Sequence, residues 1–129
     1  MTGPKITGKY KKIPAGRNGK EGAKSAGIAD DKICVDPGVG FAKTLEQNLT
    51  ITQNVDLLHK LGYPILLGTS RKSMIGLTLG VDKDERVEGT LVTTVLAVQK
   101  KCLFVRVHDI KENARAIKMT KALQAYERG

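Results

Sequence analysis

Short aliphatic segments alternate with longer helical ones from about Lys32 onward, and this alternation limits the fold more than any other feature of the sequence. Three segments are predicted to be strands: ICVD (33–36), PILLG (64–68) and LFVRV (103–107). Each is mostly aliphatic, as is typical of strands in a parallel sheet whose two faces are both covered. Three successive strand and helix units predict an α/β fold with parallel strands, either doubly wound or a barrel.

Helix signals follow every predicted strand. The three predicted helical regions cover residues 44–61, 84–101 and 109–128. Thr44 and Gln47 have the spacing of a capping box at the start of the first region, and Gly62 is expected to end it. Asp109 and Glu112 repeat the capping-box spacing at the start of the third region. These signals support a regular succession of strand and helix units.

The formal net charge of +9 is concentrated near the N-terminus. Residues 1–24 carry seven Lys or Arg and one acid, a net +6, which leaves +3 for the other 105 residues. This segment is rich in Gly and Lys and shows neither helical nor strand periodicity. We therefore predict a basic, poorly ordered arm over residues 1–25 and one folded domain over residues 26–129. Nucleic acid is not favoured as a partner, because Tyr10 is the only aromatic residue among these basic ones.

The location and redox state of the chain follow from what the sequence lacks. No apolar run approaches the roughly 20 residues that a membrane span needs. The lysine-rich start is not followed by the apolar segment of a secretory signal. We therefore predict a cytoplasmic protein with no membrane partner. Cys34 and Cys102 are not spaced as metal ligands, and both are predicted to be reduced, buried thiols.

Polar residues follow all three predicted strands at their carboxyl ends. Asp36 ends the first strand, GTSRKS follows the second, and Arg106 and His108 lie at the end of the third. Functional groups gather at these ends in both doubly wound and barrel folds. Each residue alone could be a turn cap, a solvated loop residue or a strand-end histidine, but charge at all three ends indicates one shared site. One acid and several cations suit a phosphorylated heterocyclic ligand.

The glycine-rich stretch VDPGVGFAK, residues 35–43, matches neither common phosphate-binding pattern. A P-loop has glycine directly before its lysine, whereas Ala42 precedes Lys43 here. The dinucleotide fingerprint fails as well, because its third glycine would fall on Lys43. Gly38 and Gly40 are therefore expected to shape a different turn.

The segments VDPGVGFAK, LLGTSRKSMIG and FVRVHD, in this order and at this spacing, closely resemble the last three strand segments of the dihydropteroate synthase family. The resemblance covers roughly residues 26–124. It implies the C-terminal part of a (β/α)₈ TIM barrel, with about three βα units. It also implies a transferase of folate biosynthesis, which joins 4-aminobenzoate to a dihydropterin carrying a CH2 diphosphate and releases pyrophosphate.

Site roles follow from the resemblance, residue by residue. Asp36 would bind the pterin amino group and ring nitrogen, Lys72 the pterin carbonyl, and Gly68 would let the backbone approach the ring. The residues implied on the aminobenzoate side are Gly40, Phe41, Lys43, Arg71 and Ser73. Arg106 and His108 would hold the diphosphate, and together with Lys72 they form the implied catalytic set. Mg²⁺ is the cofactor that the family implies, but its asparagine ligand is not matched in this chain.

The resemblance leaves the activity of the chain alone open. The family barrel has five more strands before the segment at Val35, so we expect the chain to be inactive without them. One alternative is another pterin-binding methyltransferase, although the SRKS segment and the pair Arg106 and His108 do not favour it. Another is a non-catalytic pterin-binding or interaction subunit. Partners would then be a second copy in a homo-oligomer or a complementary N-terminal barrel fragment.

Overall fold

The computed structural model of the protein describes residues 5–6, 11–14, 33–40 and 43–128. The strands are β1 (Lys5–Ile6), β2 (Lys11–Pro14), β3 (Ile33–Asp36), β4 (Leu66–Leu67) and β5 (Phe104–Val105). The α-helices are α1 (Leu45–Gln53), α2 (Ser73–Leu79), α3 (Val87–Gln99) and α4 (Ile110–Gln124). Two 3₁₀ helices cover Val55–Leu61 and Lys83–Glu85.

Every strand pair in the described residues is parallel, as the sequence predicted. β2 pairs with β3, β4 with β5, and β5 with β1. A parallel bridge between Val35 and Ile65 joins β3 to β4, so neighbours follow the order β2, β3, β4, β5, β1. The N–H groups of Leu103 and Phe104 both donate to the Ile65 carbonyl. This shared acceptor makes the ladder irregular at its start, and β5 is shorter than the predicted segment 103–107.

Two short strands lie within residues 1–25, where the sequence analysis assigned none. β1 pairs along β5 and β2 along β3, so main-chain hydrogen bonding defines them rather than an alternating apolar pattern. The other residues of the predicted basic arm lie outside the described part of the chain. The boundary between residues 25 and 26 stays a prediction.

The first predicted helix begins and ends at the expected residues. Gln47 N–H donates to Thr44 Oγ1 at 3.1 Å, and Thr44 N–H donates to Gln47 Oε1 at 2.9 Å, which completes the capping box. The helix is not continuous, because α1 ends at Gln53 and a 3₁₀ helix runs from Val55 to Leu61. Gly62 follows with a left-handed φ of 78°.

The second predicted capping box is wrong. Asp109 precedes α4, but its side chain makes no hydrogen bond to the first turn of that helix. Its carboxylate accepts hydrogen bonds from Arg71 instead. A charged partner from a neighbouring loop forms a stronger hydrogen bond than a neutral backbone N–H, and this explains why the local signal fails.

Helix α2 was not predicted, because its seven residues are too few for a recognisable apolar period. It packs closely on its neighbours through two glycines. A side-chain carbon at Gly76 would overlap the guanidinium of Arg86, and one at Gly89 in α3 would overlap Ile75. These contacts fix α2 directly behind the loop that follows β4.

The core lies between the strands and the helices and is aliphatic. Its fully buried side chains include Val35, Val39, Val55, Ile65, Leu67 and Val105. Cys34 and Cys102 are both buried and neither is in a disulfide, as the sequence predicted. Burial raises the pKa of the Cys102 thiol to about 12, and the nearby Asp56 carboxylate adds to this shift. Within the described residues, every helix is too short or too polar to cross a membrane.

Candidate functional site

Three loops leave the carboxyl ends of neighbouring strands, and we call them the carboxyl-end loops. They comprise residues 37–40 and 43–44 after β3, 68–72 after β4 and 106–109 after β5. Because β3, β4 and β5 are adjacent and parallel, these loops leave the same edge of the sheet. Those predicted site residues that the structure describes lie in these loops or directly beside them.

The first loop turns on a buried carboxylate and two glycines. Asp36 is 3% exposed, and its Oδ1 accepts a hydrogen bond from the N–H of Gly38 at 2.6 Å. Gly38 and Gly40 have φ values of 75° and 91°, a left-handed conformation that side-chain-bearing residues rarely adopt. The two glycines therefore form a tight turn around Asp36.

Two side chains beyond the turn itself, one in α1 and one later in the same loop, bond to its backbone. The buried amide oxygen of Asn48, in α1, accepts a hydrogen bond from the N–H of Gly40 at 2.9 Å. The ammonium of Lys43 donates to the Gly38 carbonyl at 2.9 Å. Both contacts fix the backbone of the loop, so the turn does not depend on its own residues alone.

Lys72 connects the loops that follow β3 and β4. Its ammonium donates to the carbonyl oxygen of Val39 at 3.0 Å. Its aliphatic stem crosses Gly40 so closely that a side-chain carbon on that glycine would lie 3.2 Å from Lys72 Cδ. An ammonium is therefore held beside the turn that contains the Asp36 carboxylate, as a shared site requires.

Arg71 has an uncommon backbone conformation and a side chain that is paired with Asp109. Its φ is 56°, which is uncommon for a residue other than glycine. The backbone is held on both sides, because its N–H donates to Thr90 Oγ1 at 3.2 Å and its carbonyl accepts from Arg86 Nη1 at 2.9 Å. Its guanidinium donates to both carboxylate oxygens of Asp109, at 2.9 and 3.4 Å. This hydrogen-bonded ion pair raises the pKa of Arg71 and lowers the pKa of Asp109.

Ser70 and His108 form a second contact between the loops after β4 and β5. The Ser70 hydroxyl oxygen lies 2.8 Å from His108 Nδ1. The same oxygen accepts a hydrogen bond from the backbone N–H of His108 at 3.0 Å. Ser70 is buried, whereas His108 is exposed. The imidazole is therefore anchored at one ring nitrogen while its other edge faces outward.

The remaining predicted residues lie along the same edge. A side-chain carbon on Gly68 would lie 3.8 Å from Arg106 Cβ, so these two residues are neighbours across β4 and β5. Arg106 is exposed, and Ser73 is the exposed first residue of α2. Phe41 lies outside the described residues.

The structure brings most of the predicted residues into two groups. Asp36, Gly40, Lys43 and Lys72 gather around the turn after β3, whereas Gly68, Arg106 and His108 lie at the ends of β4 and β5. Four residues hold these groups in place without having been assigned as site residues by the sequence analysis, which named Asp109 only as a helix cap: Asn48, Ser70, Arg86 and Asp109. Ser70 and Asp109 stand next to predicted residues, and that adjacency was the available signal. Nothing local marked Asn48 or Arg86.

The described residues do not form a metal cage. They contain no group of three or more His, Cys, Asp or Glu side chains arranged to hold a metal ion. Asp36 already accepts a hydrogen bond from its own turn, and Asp109 is paired with Arg71. The donor set offered here therefore does not fit Mg²⁺ by itself.

The arrangement offers a carboxylate and an ammonium along one edge. The guanidinium of Arg106 and the imidazole of His108 lie on the same edge and are exposed. A carboxylate and an ammonium can bind the donor and acceptor edges of a polar heterocycle. A guanidinium and an imidazole N–H suit an anionic group. The order along the edge, from Asp36 through Lys72 to Arg106 and His108, fits one ligand with a heterocycle at one end and an anion at the other.

Comparison with known proteins agrees with this geometry. Residues 12–108 match the family model described as pterin binding enzyme. The dihydropteroate synthase of Clostridium beijerinckii is 60% identical over 99 residues, which cover 76% of this chain and 37% of that protein. The corresponding enzyme of Bacillus subtilis is 48% identical over 101 residues, which cover 78% of this chain and 35% of that protein. The chain thus spans a little over a third of the length of these curated relatives.

Solved structures give the same result. A crystal structure of the dihydropteroate synthase of Clostridium difficile in the presence of pteroic acid is similar with a TM-score of 0.77 and 49% identity. It covers 85% of this chain and 41% of that one. The Coxiella burnetii dihydropteroate synthase in complex with pteroic acid has a TM-score of 0.78 and 32% identity, over 86% of this chain and 41% of that one. These likenesses confirm the predicted resemblance and the predicted partial (β/α)₈ barrel.

Proposed function

The chain belongs to the pterin-binding enzyme family, and from this premise we propose that its carboxyl-end loops bind a pterin substrate of the dihydropteroate synthase type. The substrates would be 4-aminobenzoate and a dihydropterin carrying a CH2 diphosphate. In the reaction, the amine nitrogen of 4-aminobenzoate forms a bond to the CH2 carbon while the C–O bond to the diphosphate breaks. The amine loses a proton, and pyrophosphate leaves with the bonding electron pair.

The observation that carries this proposal is the position of Lys72 beside the Asp36 turn. Lys72 comes from the loop after β4, yet its ammonium donates to Val39 in the loop after β3. The Asp36 carboxylate lies in the same turn and is buried. A buried carboxylate accepts from the amino group and ring N–H of a pterin, and an ammonium donates to its carbonyl. One similar dihydropteroate synthase structure was determined in the presence of pteroic acid and another in complex with it, which supports a pterin-derived ligand for this chain.

We assign the anionic end of the ligand to Arg106 and His108. Both are exposed at the end of β5, beside Gly68, and Arg106 carries a permanent charge. Negative charge increases on the diphosphate oxygen as the C–O bond breaks. Donors placed at this oxygen stabilise the transition state more than the bound substrate, and such a difference raises the rate.

On the aminobenzoate side, the described residues support a smaller set than the resemblance implies. Gly40 and Lys43 border the turn, and Ser73 is exposed at the start of α2. The Arg71 guanidinium is bonded to Asp109, so we propose that Arg71 fixes the loop rather than binding the aminobenzoate carboxylate. Phe41 keeps its predicted role as an untested proposal.

We propose that the chain alone binds ligand without turnover. It spans 35% to 37% of the curated relatives in these comparisons, and the described residues supply one side of the site. Magnesium stays an implication of the resemblance, and no step here relies on it. An assay of dihydropteroate formation, with the chain alone and with a complementary barrel fragment, tests this part. Self-association and a cytoplasmic location remain predictions.

Titration calorimetry with pteroic acid tests the pterin site. The chain is expected to bind saturably, and Asp36→Asn to bind about 10-fold to 100-fold more weakly, because a hydrogen bond to a charged group is worth about 1.5–3 kcal/mol. The asparagine oxygen can still accept from Gly38, so the turn is retained. Asp56→Asn, at the opposite end of the strands, is the matched control and should not change affinity. Equal affinity of the parent and Asp36→Asn, or no binding by a folded chain, would refute the pterin site.

A further inference from the structure

The contact between Ser70 and His108 determines more than the position of the ring. The Ser70 hydroxyl has one proton to donate and two lone pairs that accept. One lone pair accepts the His108 backbone N–H at 3.0 Å, and the other interaction of the oxygen is with His108 Nδ1 at 2.8 Å. Ser70 is 7% exposed, so solvent does not readily supply further partners.

The hydrogen-bond inventory selects one proton arrangement. If Nδ1 carried the ring proton, the Ser70 oxygen would accept hydrogen bonds from both Nδ1 and the backbone N–H of His108. The hydroxyl proton of Ser70 would then have no acceptor among the described residues. A buried donor without a partner costs about 1–3 kcal/mol. If Nδ1 accepts, the hydroxyl proton has a partner, and the oxygen still accepts from the His108 backbone N–H. In the neutral ring the proton is then on Nε2.

We propose that Ser70 is a positioning residue that holds His108 in the Nε2–H tautomer, with that N–H presented outward as a donor to an anionic ligand. The tautomer follows from the Ser70 contact alone, whereas the identity of the anion as a diphosphate rests on the proposed function. In this arrangement neutral His108 provides a directed N–H next to the permanent charge of Arg106.

The backbone around Ser70 is held firmly enough for this role. The next residue, Arg71, is bonded at its N–H by Thr90, at its carbonyl by Arg86 and at its guanidinium by Asp109. Ser70 with His108 and Arg71 with Asp109 form two consecutive links between the same two loops. The hydroxyl is thus presented from a fixed position to an imidazole that is otherwise exposed.

Nitrogen-15 NMR of the histidine rings tests the tautomer without any ligand. The chain has two histidines, and a His59→Gln variant assigns them. The spectra are recorded at about pH 8.5, an alkaline pH chosen to favour neutral imidazole. We expect His108 to show a protonated Nε2 and an unprotonated, hydrogen-bonded Nδ1. In Ser70→Ala, the Nδ1 resonance should move to that of a ring nitrogen without a donor, and both tautomers should be populated.

Two further variants separate a specific effect from a general loosening of the loop. Ser70→Thr retains the hydroxyl and should restore the parent ring signals. Thr50→Ala removes an exposed hydroxyl from α1 that donates to the Glu46 carbonyl, and it should leave His108 unchanged. A parent His108 with its proton on Nδ1, or His108 signals that are the same in the parent and in folded Ser70→Ala, would overturn the inference.

Inorganic pyrophosphate serves as the anion probe in a double-mutant cycle. Ser70→Ala should weaken its binding about threefold to tenfold, the worth of one neutral hydrogen bond. The same substitution in a His108→Ala background should have no further effect, because Ser70 acts through the ring. An equal loss in both backgrounds contradicts a positioning role. If the parent does not bind pyrophosphate, the proposed diphosphate role fails, and the NMR result still decides the tautomer.

Discussion

The two histidines of the chain lie at opposite ends of the strands and show how differently these ends are built. His59 precedes β4, and its Nε2 is 2.7 Å from the carbonyl oxygen of Lys100. A carbonyl oxygen can only accept, so His59 also carries a proton on Nε2. The Nε2 donor of His59 is bonded to the Lys100 carbonyl at the end of α3. In His108, Nδ1 is bonded to the Ser70 hydroxyl, and the Nε2 donor is left for a ligand.

The same contrast extends to the surrounding residues. The amino-end cleft is lined by Gln53, Asp56, His59, Leu96, Gln99, Lys100 and Lys101. It contains lysine, histidine and aspartate side chains, as the carboxyl-end loops also do. Its described contacts, however, satisfy the end of α3 and pair Lys100 with Asp56 at 3.4 Å. In the carboxyl-end loops, polar side chains bond between loops and leave an outward-facing edge. Polar composition alone therefore does not identify a binding site, and the direction of the donors does.

The largest expected effect is a loss of pteroic acid affinity, and it should distinguish Lys72 at the carboxyl ends of the strands from Lys100 at the amino ends. Lys72→Met keeps the stem across Gly40 but removes the ammonium, so affinity for pteroic acid should fall about 10-fold to 100-fold. Lys100→Met removes the ammonium beside Asp56 and should cost at most about 1 kcal/mol of stability, without loss of affinity. Calorimetry and urea unfolding measure both quantities. A similar loss of affinity in both variants would remove the distinction between the ends.

The next largest effect is a loss of folding stability at alkaline pH, and it concerns Cys102 at the amino end of the strands. The folded state raises the pKa of Cys102 from 9.0 to about 12, so the folded protein retains a proton that the unfolded chain releases. The stability from this burial is fully present below pH 9 and is lost towards pH 12, by about 1.4 kcal/mol for each pH unit.

Urea unfolding between pH 8 and 11 measures this dependence on the parent and on Cys102→Ala. The other titrating groups are shared, so the difference between the two curves isolates the thiol. We expect the parent to lose stability more steeply than the variant above pH 9. Parallel curves would show that Cys102 is not buried as described.

A third effect compares glycines with the same backbone requirement. Gly40 and Gly62 both have positive φ, at 91° and 78°, so alanine at either position should cost about 1–2 kcal/mol of stability. A new side chain at Gly62 meets nothing within 4 Å, whereas one at Gly40 lies 3.2 Å from Lys72 Cδ. Only Gly40→Ala should therefore weaken pteroic acid binding, by about threefold to tenfold or roughly 1 kcal/mol. Unchanged affinity in Gly40→Ala would mean that the position of Lys72 is not critical.

The smallest effect is the acid response of the carboxyl-end loops. The hydrogen bond from Arg71 holds the pKa of Asp109 below its ordinary value of 3.8. The stability from this pair is present above pH 3.8 and is lost as the pH falls through the lowered folded pKa. Asp109→Asn and Arg71→Gln should both give a shallower loss of stability between about pH 5 and pH 2, and the double variant should add nothing. Curves as steep as the parent's would show that the ion pair does not contribute to stability.

Sequence patterns predicted the strand at 33–36, the capping box at Thr44 and the three polar strand ends, all of which the structure contains. They failed where a distant residue competed with a local signal. Asp109 has the spacing of a helix cap, yet Arg71 takes its carboxylate. They also missed α2, whose two close contacts join Gly76 to Arg86 and Ile75 to Gly89 of α3, residues that come later in the chain. The two short strands within residues 1–25 likewise depend on partners in β3 and β5.

The sequence by itself determined the succession of aliphatic strands and helices, the glycine turn after Asp36 and the presence of charge at each strand end. These features depend on steric and hydrogen-bonding preferences that act over a few neighbouring residues. Only the tertiary structure decided which polar groups bond to one another. Ser70 and His108 are 38 residues apart, and Lys72 and Val39 are 33 apart. Such pairs can form only after parallel pairing places the ends of β3, β4 and β5 side by side.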